Sequence, residues 1–193
     1  MQKNYEDREK VAKQAFVLAA LVCRGFIDED LPSDVEAVYA RIIPWLEEMD
    51  AMEMLEVDEK EALEARLGSL KSQMKLNLIW TVEGLAILAW ALGRYELHEH
   101  SEVADAQAIT QRLFFLSSKA KELYAGEVLE KEQIEACYHD SLEVLKRTHK
   151  IVQNPQLFTE EMSAQNSIAL ERVRALQWLL STDRYASVKI ALD

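Results

Sequence analysis

Glycine and proline are scarce in this 193-residue chain, with five and three residues. An all-β protein needs turn residues every few positions, and these are too few to supply them. They are also too few for a phosphate-cradling loop or a dinucleotide fingerprint, and neither motif occurs, nor does a nucleophile elbow. Cysteine is limited to Cys23 and Cys137, which makes neither a disulfide framework nor a zinc pattern. Cations are outnumbered, 22 Lys and Arg against 34 Asp and Glu, for a net charge of −12. Binding nucleic acid rests on Lys and Arg neutralising phosphates, so no nucleic-acid partner is expected. An anionic membrane surface is disfavoured for the same reason. No uninterrupted apolar run approaches the ~20 residues that span a bilayer. The polar start, Met1 to Asp7, lacks the shape of a signal peptide. The expectation is a cytoplasmic protein with no membrane partner.

What is present points to helices. Hydrophobic residues make up 49% and charged residues 29% of the chain, with the good helix formers Ala, Leu, Glu and Lys dominant. A chain of this length buries roughly 70% of its unfolded surface, so it needs no metal or disulfide to fold. We expect an all-α protein, a single domain over residues 1–193, built as an array of about seven helices around a buried central helix at about 72–93. That helix carries the stretch from Leu78 to Gly93, in which twelve of sixteen residues are apolar. Every side of a helix drawn through it is apolar, the pattern of a helix in the middle of a protein.

The remaining elements follow from caps and breakers. A first helix covers residues 4–27, exposed at its start and buried from Ala15 to Cys23. Leu31-Pro32-Ser33 is a break, with Ser33 and Glu36 at capping-box spacing. Pro44 predicts a kink or restart in the next helix. Asp58 and Glu61 predict the start of a short helix that Gly68 closes. Residues 95–105 read as a polar connection. Helices are expected at about 106–124 and 128–151, a stop at Asn154-Pro155, and a last helix capped by Thr159 and running to about Ser181.

Two segments resemble a known family. Trp80-Thr81-Val82-Glu83-Gly84-Leu85 followed by Leu88-Ala89-Trp90-Ala91-Leu92-Gly93 is similar to the "W-x-x-E-A-L … L-W-A-L-G" signature of domain of unknown function 4272. Glu171-Arg172-Val173-Arg174-Ala175-Leu176-Gln177-Trp178-Leu179 is similar to that family's "E-R-x-x-A-L-x-W-L" segment. The family's final segment reads "W-D-x-V", whereas Tyr185-Ala186-Ser187-Val188 lacks the acid. The resemblance implies an all-helical bacterial domain and supplies no activity and no catalytic residues.

Glu83 stands out on its own chemistry. It lies among Leu76, Ile79, Trp80, Ile87 and Trp90 on the helical wheel, and a carboxylate there must be protonated or paired. Arg24, Arg172 and Arg174 are the candidate partners, each in an otherwise apolar helix. Three helices bringing charges to one core predict a shared network. It either only fixes how the helices pack, or lines a pocket where Arg binds an anion or Glu83 acts as acid or base. Gly84, beside Trp80, Leu88 and Ala91, predicts a close helix approach.

Other patterns favour the plainer reading. His98 and His100 with Glu96, Glu99 and Glu102 lack a fixed third ligand. Glu135, His139 and Glu143 lie on one helical face without a second Glu-x-x-His helix. No metal and no cofactor is expected, and Trp45, Trp80, Trp90 and Trp178 read as core. Residues 47–66 hold nine acids against Lys60 and Arg66. This is either a solvated face or a docking surface for a basic protein, through Glu47, Glu48, Glu53 and Glu56. Function therefore reads first as non-enzymatic contact with a basic partner, in the manner of an immunity or regulatory protein. The alternative is an enzyme or small-anion binder using Glu83 with Arg24, Arg172 or Arg174.

Overall fold

The computed structural model describes residues 3–30, 34–154, 156–157 and 159–190. The break at 31–33, the Ser33 capping box and Pro155 lie outside the described residues. Among the described residues there are eight α-helices: α1 (Arg8–Asp30), α2 (Val35–Glu48), α3 (Val57–Glu64), α4 (Ser72–Trp80), α5 (Val82–Ala91), α6 (Ala106–Arg112), α7 (Lys131–Val152) and α8 (Glu160–Leu180). Short 3₁₀ turns join them, and no strand occurs among the described residues. The protein is all-α, as its composition predicts.

Two helices form the centre. From Val11 to Val22 all of α1 is buried except Lys13, and α5 is buried from Val82 to Ala89. Helix α1 packs on α4 and α5, and α8 closes over α5. Helices α2 and α3 cover α1, α6 packs on α5, and the principal partner of α7 is α8. Leu145, Ala169 and Val173 form a small separate cluster between α7 and α8.

The central helix is not one rod. It divides at Thr81, whose hydroxyl donates to the Leu78 carbonyl at 2.6 Å, a back-bond that bends a helix. Only the second half is core. In α4 just Leu78 is buried, with Met74 41% and Leu76 47% exposed. By length and composition alone the 20 residues Ser72–Ala91 could cross a bilayer; here 56% of the apolar window is buried inside the fold.

Other elements depart from expectation for local reasons. Helix α2 runs through Pro44, because Pro44 and Ala40, whose carbonyl loses its donor, both face solvent and water replaces the bond. The capping box of α3 sits earlier than expected: Glu56 is the cap, and its N–H donates to Glu59 at 3.0 Å. That helix ends at Glu64, before Gly68. The expected helix over 106–124 stops at Arg112, and the chain turns through Phe114 and Leu116 at φ 54° and 57°. Side chains of α2 hold this strained turn: Arg41 donates to the Leu116 carbonyl at 2.6 Å and Trp45 to that of Ser117 at 3.1 Å. A 3₁₀ turn, Ser118–Tyr124, follows. Thr159 does cap α8, accepting from the Met162 N–H at 3.1 Å.

Candidate functional site

The three arginines belong to three different arrangements. Arg24 is sealed. Its Nε donates to the Ala62 carbonyl at 3.1 Å, its Nη1 to Asp28, and its Nη2 to the carbonyls of Ala65 (3.0 Å) and Arg66 (3.2 Å). Asp28 accepts in turn from the N–H groups of Gly68 (2.6 Å) and Leu70 (3.2 Å). Burial pushes its carboxyl up, but Arg24 and the two N–H groups outweigh that and hold it below its usual range. This pair, with every Arg24 nitrogen engaged, pins the loop after α3 onto α1. Arg174 is half-exposed and clasps Glu171 on its own helix at 2.6 and 2.8 Å. Neither approaches Glu83 as an ion-pair partner. The shared three-helix network is therefore replaced by separate pairs, since Arg24 and Arg174 each find a carboxylate within one turn of their own helix.

Arg172 is the partner of Glu83. Its Nε donates to Glu83 Oε2 at 2.9 Å, with both side chains buried. The segment at 95–105 completes the arrangement. The Ala104 N–H donates to Glu83 Oε1 at 2.7 Å, and Arg172 Nη1 donates to the His98 carbonyl at 2.8 Å. An expected polar connection thus lies across the ion pair, tied down through its backbone. Glu83 is fixed by the buried α5. Arg172 projects from α8 on the face of Ile168, Ala175, Leu176 and Leu179, all fully buried.

One guanidinium nitrogen is left. Arg172 Nη2 is buried, and among the described residues nothing accepts from it. Arg172 also lines a cavity of about 470 Å³ between the 97–101 segment, α7 and α8. Its wall includes His100, Cys137, Ser141, Arg147 and Gln165, with Glu99 and Asp140 among the remaining lining residues. Cys137, Asp140, Ser141 and Val144 follow helical spacing, so one face of α7 meets the cavity. The face of Glu135, His139 and Glu143, weighed from the sequence and read there as solvated, is a different one. In the structure Glu135 pairs with Lys131 at 3.0 Å, and His139 and Glu143 are exposed.

The groups in the wall suit binding more than covalent chemistry. His100 Nε2 and Ser141 Oγ share a hydrogen bond at 3.1 Å. Burial, with Arg172 nearby, pushes the His100 imidazole down to about 4, so it is neutral near pH 7. Burial pushes the Cys137 thiol up, against the Ser141 hydroxyl and Arg172, so it carries no nucleophilic thiolate there. His98 instead turns to Glu102 at 3.6 Å. Among the described residues no three His, Cys, Asp or Glu side chains gather to hold a metal.

The acidic stretch is partly engaged. Glu53 pairs with Lys13 at 3.5 Å, and Glu56 caps α3 and pairs with Arg184 at 3.5 Å. Glu47 and Glu48 are exposed at the end of α2. Of the tryptophans, Trp45 and Trp178 are buried and Trp80 and Trp90 half-buried. Gly84 does sit at a close approach, but the group a Cβ there would meet is the Tyr185 hydroxyl from the turn after α8; Leu18 of α1 would lie at an ordinary 3.5 Å from that Cβ.

No curated protein and no solved structure matches the chain. The model of one family, described as a domain of unknown function (DUF4272), matches residues 2–187, a span that holds Glu83, Arg172 and the whole wall of the cavity, and the chain belongs to that family.

Proposed function

We propose that the protein binds a small carboxylate-bearing ligand in the cavity beside Arg172. The observation that carries this reading is the Nη2, unpartnered among the described residues, of a buried guanidinium in the wall of that cavity. A buried donor without an acceptor is costly, and an entering anion recovers that cost through a charge-assisted bond. Glu83 is a positioning residue. It holds Nε while the His98 carbonyl holds Nη1, which leaves Nη2 as the donor to offer. Ser141 and Gln165 supply neutral polar contacts. Glu99 and Asp140 in the lining disfavour a multiply charged anion, so a monocarboxylate fits better than a phosphate dianion.

Calorimetric titration with acetate and with inorganic phosphate tests this. Wild type should bind acetate more tightly than phosphate. Glu83→Gln with Arg172→Met, a pair that removes both buried charges together, should fold and lose the binding. Equal heats for that double variant and wild type would end the reading.

The second reading is contact with a basic protein through residues 47–66. It is favoured by Glu47 and Glu48, exposed side by side with no cation paired to them among the described residues. Reversing both charges should weaken capture of a basic partner and reduce the salt dependence of that capture. An unchanged affinity would count against this surface.

A further inference from the structure

A second cavity, of about 450 Å³, shares no lining residue with the first. It lies between the start of α1, the turn at 53–56 and the end of α8 with the turn that follows. Three residues in its wall, Gln14, Trp178 and Tyr185, are buried and carry polar atoms unpartnered among the described residues, the hydroxyl in the case of Tyr185. Gln14 on α1 is 1% exposed, and neither its amide nitrogen nor its carbonyl oxygen is hydrogen-bonded among the described residues. Trp178 on α8 is fully buried, and its indole N–H is also unpartnered among those residues. Buried polar groups in folded proteins are nearly always satisfied, so four atoms unmet among the described residues at one cavity call for an explanation.

The cations in the lining of this cavity are already engaged. Lys13 sits between Glu9 at 2.8 Å and Glu53 at 3.5 Å, Lys10 donates to Asn4 at 2.6 Å, and Arg184 pairs with Glu56 at 3.5 Å. Acids outnumber cations in the lining, so an anion is repelled and no cation is free to hold one. Recognition is left to the neutral groups. Gln14 offers a donor and an acceptor, Trp178 offers a second donor, and the Tyr185 hydroxyl offers either. The complement is a ligand with two acceptors and one donor, the set along the edge of an imide, and a further polar group for the Tyr185 hydroxyl. We infer that this cleft binds a small neutral cyclic amide or imide, such as a pyrimidine-dione ring, through Gln14 and Trp178.

Titration of isotope-labelled protein with uracil tests the inference. The readout is the indole N–H resonance of Trp178, identified by its loss in Trp178→Phe. Uracil should move that resonance and saturate the shift. Dimethyluracil, methylated at both ring nitrogens and so without a donor, should leave it in place. Gln14→Leu should weaken uracil binding about tenfold or more, the loss of roughly one buried hydrogen bond. It should not lower the melting temperature, because it removes two unmet polar atoms. No shift with uracil, or an equal shift with dimethyluracil in wild type, overturns the proposal whether or not the Gln14 variant folds. An undiminished response in a folded Gln14→Leu protein overturns it as well.

Discussion

Two buried arginines in this protein have opposite hydrogen-bond accounts. Arg24 has every nitrogen engaged, whereas Arg172 keeps one donor unmet beside a cavity. Removing one member of a buried pair strands the other, which costs about 3–5 kcal/mol. Glu83→Ala should therefore lower stability by that order, and Glu83→Ala with Arg172→Ala should lower it less than the single change. Urea unfolding of the four proteins in a double-mutant cycle measures the coupling; its absence would contradict the pairing. Gly84 makes a second residue-scale case. A methyl group there meets the Tyr185 hydroxyl well inside contact distance but the ring carbon that bears it at an ordinary 3.6 Å. Gly84→Ala should cost about 1–3 kcal/mol alone. In a Tyr185→Phe background, where the offending oxygen is gone, most of that cost should vanish.

At the scale of elements, the 95–105 segment joins the ion pair to His100. The fold holds this imidazole neutral down to about 4, whereas its ordinary value is 6.5. Between those values the unfolded chain binds the extra proton, so stability falls as pH drops from about 6.5 toward about 4. Above 6.5 both states are neutral and the group contributes nothing. Melting temperature followed across this range should show the decline, and His100→Gln should remove part of it.

The helix that the sequence marks as central shows how element and context interact. Its apolar residues are legible from 78 to 93, and the break at Thr81 is not. A threonine back-bond is one option for that hydroxyl, and only the packing of α4 on α1 and α5 on α8 selects it. Pro44 is the converse: local rules predict a break, but the lost bond faces water and the helix continues. The turn at Phe114 and Leu116 was illegible because Arg41 and Trp45, some seventy residues earlier, hold it.

For the whole molecule, α1 from Val11 to Val22 (Lys13 apart) and α5 from Val82 to Ala89 are buried, while α7 relies chiefly on α8 and a small cluster around Leu145. Local opening is governed by such buried contacts. Amides in the second half of α7 should exchange at a lower free energy than those of α1 and α5, and native-state hydrogen exchange distinguishes them. Equal protection throughout would indicate that the hairpin of α7 and α8 opens only with the core.

The sequence by itself determined the helical class, the burial of α1 and α5, and the need of Glu83 to be protonated or paired. These follow from composition, from the 3.6-residue period and from the cost of a lone buried charge, all local properties of the chain. The tertiary structure alone decided which arginine answers Glu83, that Arg24 is satisfied by Asp28 instead, and that Arg172 retains a donor at a cavity wall. Gln14, an unremarked polar residue within an apolar helix, acquired its interest only when α8 placed Trp178 in the same wall. Which polar groups meet, and which are left unmet, depends on distances between helices far apart in the chain, and helical periodicity carries no information about those.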